Sequence, residues 1–318
     1  MSIVERALEK AQRRLADAAA SNAVDDRVGA KSVPPATPVA PAETSQKAAS
    51  APIHGGLAAP RVRKKLSFDL HALREAGALP PVDAERRLAA EFGRIKRPLV
   101  ERAASESEAS GGNSRTVLIT SAVPGEGKTF TSLNLAISLA RERDYHALLI
   151  DADVVKPQLS HLLSVRHEQG FLDSLRNPAV DVEELIFQTD FPGLLVLPVG
   201  GQSEQDSELL ASRRMVELMA KLVAADERRL IILDSPPLLL TNEARQLTNA
   251  VGQVVVVVRA GVTPQQVVFE ALGVLGAGRM ASIVLNQVLP SQGHGRYYGH
   301  GQYGDYGRTV SDDSSSEQ

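Results

Sequence analysis

The segment Thr116–Thr131, which reads TVLITSAVPGEGKTFT, constrains the fold of this chain more than any other. The aliphatic run from Val117 to Ile119 is typical of a β-strand, and it is followed by a glycine-bearing turn and then by Lys128 and Thr129. A strand, a glycine loop, Gly-Lys-Thr and a helix, in this order, form a cradle for nucleotide phosphates. Backbone N–H groups of such a loop and the positive end of the helix face the anion. The segment therefore predicts a phosphate-binding loop.

The side chains of this loop have separate expected roles. Lys128 is expected to reach the β- and γ-phosphates, and the Thr129 hydroxyl is expected to bind Mg²⁺. Ala122 stands where the strict pattern has its first glycine; alanine is nearly as small but tolerates a positive φ less well. The residues predicted to contact the nucleotide are Pro124, Gly125, Glu126, Gly127, Lys128, Thr129 and Phe130.

Composition excludes several other kinds of site. There are no cysteines, which excludes disulfides, thiolate nucleophiles and zinc–thiolate sites, and the seven histidines lack metal-ligand spacing. A formal charge of −3 gives no global attraction to nucleic acid, so no nucleic-acid partner is expected. No apolar run approaches the ~18 residues of a membrane span, and the charged N-terminus does not resemble a secretory signal. The sequence predicts a soluble, cytoplasmic protein.

Apolar segments alternate with helical ones through the second half of the chain. Strands are predicted at 116–120, 146–151, 194–198, 229–234, 253–258 and 282–286. Helices are predicted at 128–142, 207–224, 241–250 and 264–276, the last with Thr263 as its cap and Pro264 as its first residue. This alternation favours a mostly parallel sheet covered by helices on both faces. The predicted fold is an α/β P-loop NTPase domain.

The rest of the chain has a different character. The first residues place apolar side chains on one helical face, which is typical of an ordinary surface helix or of one that docks on a partner or a membrane surface. Prolines at Pro80–Pro81 and Pro98 are expected to break the helical stretch before the phosphate loop. The predicted units are an amphipathic helix at 1–20, a disordered Ala- and Pro-rich linker at 21–66, a helical oligomerisation region at 67–110, the P-loop domain at 111–290 and a disordered tyrosine-rich tail at 291–318.

Three aspartates follow two of the predicted strands. Asp151 and Asp153 come directly after one strand, and Asp234 ends another. Ligands of open parallel sheets lie outside the carboxyl ends of the strands, so these carboxylates are expected beside the phosphate loop. Asp153 and Asp234, with Thr129, are predicted to hold Mg²⁺. Asp151 is predicted to accept the proton of an attacking hydroxyl.

Four of the five tyrosines are clustered in the tail. Aromatic residues are normally buried, and these cannot be buried in their own domain. A cohesive low-complexity tail and stacking on nucleic acid are alternatives, the second disfavoured by the acidic end of the tail. From Asn286 to Tyr297 is eleven residues, a flexible span of about 17–20 Å on average and about 36 Å at full stretch. The tail can therefore reach a nucleotide site on a neighbouring copy. The predicted phosphorylation sites are Tyr297, Tyr298, Tyr303 and Tyr306.

The chain resembles the bacterial tyrosine autokinases of exopolysaccharide loci, in particular the exosortase-associated type, in which kinase and membrane activator are separate proteins. The resemblance covers nearly everything except residues 21–60. The matching segments, in order, are MSIVERALEKA, EFGRIKRPL at 91–99, SAVPGEGKT, LLIDADVVKP, SELLASRRM at 207–215, ILDSPPLL and the Tyr-Gly tail.

The resemblance implies roles for particular residues. The active site would comprise Lys128, Asp151, Asp153 and Asp234, with ATP and Mg²⁺ as cofactors. Asn286 would contact the adenine, although an ordinary strand-end asparagine remains the alternative. Members commonly carry a basic residue where this chain has Val155. The helix that contacts neighbouring subunits in a ring would present Glu91, Arg94 and Arg97, which match an E-x-x-R-x-x-R motif.

The resemblance also implies a biological setting. Each subunit would phosphorylate the tail of the next within a homo-oligomer, and the cycle would regulate the length or export of an exopolysaccharide. The partners implied are a membrane chain-length or activator protein and a cognate tyrosine phosphatase. The chain would then be cytoplasmic and peripherally attached to the inner membrane through its partner.

Two other classes remain open. One is a partitioning or MinD-like ATPase switch without kinase activity, but such proteins carry a second lysine where this loop has Val123. The other is an assembly protein that binds nucleotide only to polymerise, which the intact set of site residues disfavours. Phosphorylation of the tail distinguishes the three classes.

Overall fold

The structure, a computed structural model, describes residues 63–105, 114–203, 206–276, 279 and 281–288. The predicted helix at 1–20, the tyrosine tail at 291–318 and all but the last four residues of the predicted linker lie outside these ranges.

The described residues form an eight-stranded sheet. Its strands are β1 (Lys65–Leu66), β2 (Thr116–Ser121), β3 (His146–Asp151), β4 (Phe187–Thr189), β5 (Leu194–Leu197), β6 (Arg229–Asp234), β7 (Gln253–Arg259) and β8 (Ala281–Asn286). They lie in the order β1-β4-β5-β3-β6-β2-β7-β8, and every neighbouring pair is parallel except β4 with β5. The six predicted strands are confirmed, and they make up the continuous parallel part of the sheet.

The central strands are apolar because both of their faces are covered. Along β2, Val117 and Ile119 join one buried cluster and Leu118 joins the other. In β7, five consecutive valines from Val254 to Val258 are all buried. Runs of this kind are expected for parallel strands with a helical layer on each side.

The helices supply those two layers. They are α1 (Leu70–Glu75), α2 (Glu85–Ala104), α3 (Lys128–Ala140), α4 (Gln158–Leu162), α5 (Phe171–Arg176), α6 (Asp206–Ala211), α7 (Arg213–Ala224), α8 (Asn242–Thr248) and α9 (Gln265–Val274). Helices α1 to α4 pack on the face of Val117, and α5 to α9 pack on the face of Leu118. The predicted α/β fold is thus confirmed. None of the helices in the described ranges has the length and apolar character needed to cross a membrane.

The predicted C-terminal boundary of the linker, at residue 66, is wrong because its last residues belong to the folded domain. Lys65 and Leu66 form β1, which pairs with β4, a strand that the sequence also failed to indicate. Arg63 holds the same segment to the domain through an ion pair of 3.1 Å with Glu183. Strands of two and three residues are too short to show the alternation that identifies a strand from sequence.

The proline signals had mixed outcomes. The break at Pro80–Pro81 is confirmed, since it falls between α1 and α2, but the break at Pro98 is wrong because α2 continues through it. A proline within a helix loses one backbone hydrogen bond. Here Phe92 and Leu99, on either side, are both buried in the cluster that includes α3, and this packing holds the two halves in line.

Two other helix predictions need correction. The predicted helix 207–224 is interrupted at Ser212, which has an extended backbone and donates its hydroxyl to the Leu209 carbonyl at 2.6 Å. Thr263 does not cap α9; the cap position belongs to Pro264, and the Thr263 hydroxyl donates to Glu126 instead.

Candidate active site

The phosphate loop connects β2 to α3. Gly125 and Gly127 have φ values of +83° and +91°, a left-handed conformation that glycine adopts without steric cost. Ala122 is buried and does not have a positive φ, so its methyl group is compatible with the turn. Lys128 is the first residue of α3, where the backbone N–H groups of a helix have no helical partners. The predicted strand–loop–helix arrangement is present.

The acidic residues meet at the same edge of the sheet. Strands β3 and β6 are neighbours, and their register places Asp151 opposite Asp234. Burial raises the pKa of Asp153 and of Asp234, and the charge of Lys128 partly offsets the rise in both, so its ammonium group lies within electrostatic reach of both carboxylates. The structure therefore brings together the four residues predicted to be catalytic.

Asp234 has a carboxylate that is only partly satisfied. Ser132 donates its hydroxyl to Oδ1 at 2.9 Å, whereas Oδ2 is buried and receives no hydrogen bond within the described residues. Burial raises the pKa of Asp234 to about 6 against the opposing charge of Lys128. No sequence pattern indicates the role of Ser132, which lies one helical turn after Lys128 and orients the carboxylate.

Asp151 is completely buried, and both its oxygens accept backbone hydrogen bonds. Asp153 N–H donates to Oδ1 at 3.2 Å, and Ser160 N–H donates to Oδ2 at 2.7 Å. Burial and the neighbouring charge of Asp234 raise the pKa of Asp151 to about 8. This environment does not fit the predicted role of direct proton acceptor, because no surface of the carboxyl group is open to an incoming hydroxyl. It fits a residue that positions Asp153.

Asp153 is the carboxylate of this strand end that retains some exposure, 8% of the residue. Its Oδ1 accepts the backbone N–H of Lys156 at 2.9 Å. Burial raises its pKa, partly offset by that hydrogen bond and by the charge of Lys128. Val155 is exposed and contributes no charge to the site.

The residues present fit a magnesium ion that is shared with a nucleotide. Among the described residues no three His, Asp or Glu side chains converge closely enough to hold a metal unaided. Mg²⁺ typically needs only one or two carboxylates, with phosphate oxygens and water completing its shell. Asp234 Oδ2 has no hydrogen-bond partner among the described residues, and burial raises the pKa of Asp153. A cation bound at this edge of the sheet would stabilise both carboxylates in their charged form. Thr129, Asp153 and Asp234 are the residues that would hold it.

An open cavity of about 380 Å³ lies over the phosphate loop. One wall was not foreseen from the sequence: it is the turn Ala76–Ala78, between α1 and α2. Asn134 on α3 fixes this turn by donating its side-chain amide to the Ala78 carbonyl at 2.9 Å. The cavity is lined by Ala76, Gly77, Ala78, Gly125, Gly127, Lys128, Thr129, Phe130, Gln158, Leu162, Asn286 and Gln287.

Asn286 and Phe130, which are predicted to contact the nucleotide, also make contacts within the protein. Asn286 donates its side-chain amide to the Glu126 carbonyl at 2.9 Å, and a Cβ at position 127 would overlap that amide. The Phe130 ring packs on Phe92 of α2, with 6.1 Å between the ring centroids. Both residues line the cavity, and whether Asn286 also contacts adenine stays a prediction.

The remaining predicted residues lie elsewhere. Glu91, Arg94 and Arg97 are exposed on α2 and do not line the cavity. The four tail tyrosines, Tyr297, Tyr298, Tyr303 and Tyr306, lie outside the described residues.

Comparisons with known proteins agree with this geometry. Residues 117–292 match the family model of the CobQ/CobB/MinD/ParA nucleotide binding domain. The tyrosine-protein kinase YwqD of Bacillus subtilis is 31% identical over 195 residues, which are 61% of this chain and 78% of YwqD. The solved kinase domain of the Escherichia coli tyrosine kinase ETK superposes with a TM-score of 0.56 at 26% identity, over 74% of this chain and 94% of that domain.

Some relatives are much longer than the matched part. The putative tyrosine-protein kinase EpsB of Ralstonia nicotianae is 31% identical over 206 residues, which are 63% of this chain but only 27% of EpsB. The residues that match the family model contain the phosphate loop and the strands that carry its aspartates. The chain belongs to the CobQ/CobB/MinD/ParA nucleotide-binding family and, within it, to the bacterial tyrosine-protein kinases.

Proposed function

We propose that this chain is a protein-tyrosine autokinase that uses Mg-ATP to phosphorylate the tail tyrosines of a neighbouring copy. The observation that carries the proposal is the position of β8. Its last residue, Asn286, donates to the phosphate-loop carbonyl of Glu126 at 2.9 Å, and Tyr297 follows eleven residues later. The chain thus leaves its last strand at the nucleotide site, and a span of about 17–20 Å reaches a site on an adjacent subunit.

The site residues divide the work of phosphoryl transfer. Lys128 and the loop N–H groups bind the phosphate oxygens and neutralise the charge that spreads over them. Thr129, Asp153 and Asp234 would hold Mg²⁺, which would supply further charge neutralisation. Asp153, which retains some exposure, would receive the tyrosine hydroxyl proton, and Asp151 fixes the backbone that carries it.

This division predicts different effects for the two aspartates. Asp153→Asn is expected to reduce tail phosphorylation at saturating ATP by about 10²-fold or more, since general-base and metal-binding groups contribute on this scale. Asp151→Asn keeps an oxygen for one of the two backbone donors and is expected to reduce the rate less than Asp153→Asn. Single-turnover phosphorylation rates across a pH series measure both. A larger loss in Asp151→Asn would return the role of proton acceptor to Asp151.

Transfer between copies requires self-association, and α2 has a suitable exposed face. Its inner face is anchored to α3: Phe92 and Leu99 are buried, and Lys96 Nζ lies 3.0 Å from the Ser138 carbonyl and 2.6 Å from Glu142 Oε1. This anchoring leaves the opposite face, with Glu91, Arg94 and Arg97, in solvent. We propose that this rigid charged face binds a neighbouring subunit in a ring.

The double variant Arg94→Ala with Arg97→Ala is therefore expected to weaken self-association about tenfold or more while leaving nucleotide binding unchanged, because paired interface arginines are frequent hot spots. Sedimentation velocity over a concentration series measures this. Arg86→Ala with Arg87→Ala is the matched control on the same helix, since both arginines are exposed and outside the motif. Identical sedimentation of wild type and the 94/97 variant would rule out this face.

Phosphorylation of the tail would also release it. Each phosphate adds about −1.5 to −2 charges, so four would bring roughly −6 to −8 next to aspartates and nucleotide phosphates. Repulsion of this size favours departure of the tail and loss of one subunit contact. We propose that this cycle regulates the length or export of an exopolysaccharide through a membrane activator protein, which would hold the cytoplasmic chain at the inner membrane, and that a cognate phosphatase resets it.

A further inference from the structure

Glu126 is an acidic residue within a loop that binds anions, yet it is 1% exposed. Its carboxylate folds back under the loop and makes three hydrogen bonds. Oε2 accepts the Val123 N–H at 2.8 Å. Oε1 accepts the Arg259 N–H at 3.3 Å and the Thr263 hydroxyl at 2.6 Å. One bond closes the phosphate loop on itself, and the other two tie it to the connection between β7 and α9.

The partners of Glu126 specify a carboxylate. Two of the three are backbone N–H groups, which can only donate, and they approach different oxygens of the same side chain. An amide in this place would present its NH₂ group either to the Val123 N–H or to the Arg259 N–H. A donor facing a donor in a buried site loses the hydrogen bond and leaves a polar group unsatisfied.

The backbone of the same residue is held from a second side. The Glu126 carbonyl accepts the Asn286 side-chain amide at 2.9 Å, and Asn286 Oδ1 in turn accepts the Gln287 N–H at 2.9 Å. Glu126 is therefore fixed through its side chain by the end of β7 and through its carbonyl by the end of β8. It stands between Gly125 and Gly127, which both have positive φ values. Glycine restricts the backbone very little, so these two residues alone would let the loop adopt many conformations.

We propose that Glu126 is a positioning residue that holds the phosphate loop in its binding conformation before the nucleotide arrives. Its side chain does not contact phosphate; it fixes the directions of the N–H groups that do. Residues 259–263, which do not line the cavity over the phosphate loop, support that loop through the Arg259 N–H and the Thr263 hydroxyl. The inference rests only on nucleotide binding, not on tyrosine phosphorylation.

The test compares dissociation constants for Mg-ATP, measured by calorimetry on the full-length chain, with melting temperatures of the same samples. Glu126→Gln is expected to weaken binding by about tenfold to a hundredfold, the scale of a lost hydrogen bond to a charged group. Thr263→Val, which removes one of the three bonds, is expected to weaken binding by about threefold to tenfold, and Thr263→Ser, which keeps the hydroxyl, is expected to restore it. Glu270→Gln, an exposed glutamate on α9, is the matched control and should bind as wild type.

A kinetic readout separates positioning from simple loss of folded protein. Because the chemistry of the bound state is intact, KM for ATP is expected to rise in Thr263→Val while kcat at saturating ATP stays near wild type. Wild-type affinity in Glu126→Gln would overturn the inference. If Glu126→Gln does not fold, equal affinities in Thr263→Val and Thr263→Ser would overturn it instead. Affinity is measured without tyrosine transfer, so absence of kinase activity would leave this test intact and count only against the proposed function.

Discussion

Lys128→Met is expected to reduce phosphorylation of the tail by about 10³-fold or more, to below detection in ordinary assays. The ammonium group lies at the first turn of α3 within electrostatic reach of Asp153 and Asp234. Removal of a positive charge aimed at a transferring phosphoryl group costs on this scale, because a neutral side chain cannot replace it at the moment of transfer. The initial rate of phosphotyrosine formation with Mg-ATP, measured by quantitative mass spectrometry, is the readout.

The matched control is Lys221→Met, which removes a lysine whose side chain is 57% exposed and pairs with Asp181 at 3.0 Å. Exposed ion pairs contribute about 0–1 kcal/mol, so this variant should fold and phosphorylate as wild type. Circular dichroism and the melting temperature test whether Lys128→Met is folded. Phosphotyrosine formed at an undiminished rate by folded Lys128→Met would exclude the phosphate loop as the catalytic site.

Glu183→Ala is expected to lower the free energy of unfolding by about 3–5 kcal/mol, the largest stability effect that we predict for a single substitution. Arg229, 1% exposed, bonds both oxygens of Glu183, with Nη2 to Oε2 at 3.1 Å, and Arg63 bonds the same carboxylate at 3.1 Å. Truncation leaves the Arg229 guanidinium buried without its counter-charge. Urea denaturation measures the loss, and Glu184→Ala, an exposed neighbour, should change stability by less than about 0.5 kcal/mol.

The ion pair between Glu183 and Arg229 also makes the free energy of unfolding depend on pH. Burial alone would raise the pKa of Glu183, but the hydrogen bonds and charges of Arg229 and then Arg63 outweigh it and lower the pKa below its ordinary value of 4.5. Because the pKa of Glu183 is lower in the folded state, its ionised carboxylate stabilises the native chain at pH values above 4.5. This contribution disappears as the pH falls through the pKa of the folded state. The stability difference between wild type and Glu183→Gln should therefore shrink on acidification. A difference that stays constant from pH 7 to pH 3 would contradict this assignment.

The parts of the molecule that sequence predicts well are those with a strong local pattern. Five consecutive valines in β7 and the aliphatic runs of β2, β3 and β6 identify buried parallel strands without further information. The Gly-Lys-Thr turn is also a strong local pattern, and it identifies the phosphate loop. Aspartates at the ends of neighbouring strands are brought together by the topology, so their convergence can be expected from the sequence alone.

The parts that sequence missed depend on contacts between distant segments. Thr263 has the local signature of a helix cap, but its hydroxyl donates to the carboxylate of Glu126, which lies 137 positions earlier in the sequence. Pro98 is a helix breaker locally but is outweighed by the packing of Phe92 and Leu99. Asp151 is completely buried and accepts hydrogen bonds from the N–H groups of Asp153 and Ser160, and its position at a strand end does not reveal these contacts. At Thr263 and at Pro98, tertiary contacts override a local preference.

The central claim, transfer of phosphate from one copy to the tail of another, can be measured directly with two full-length variants. Lys128→Met keeps the tail tyrosines but has no functional site, whereas a variant with Tyr297, Tyr298, Tyr303 and Tyr306 all changed to phenylalanine keeps the site but has no acceptors. The two are mixed with Mg-ATP and resolved by intact mass. Phosphate on the Lys128→Met chain, mapped to its tail and absent when either variant is incubated alone, is the expected result. ATP hydrolysis with no phosphate on either chain would contradict the claim and indicate an ATPase switch.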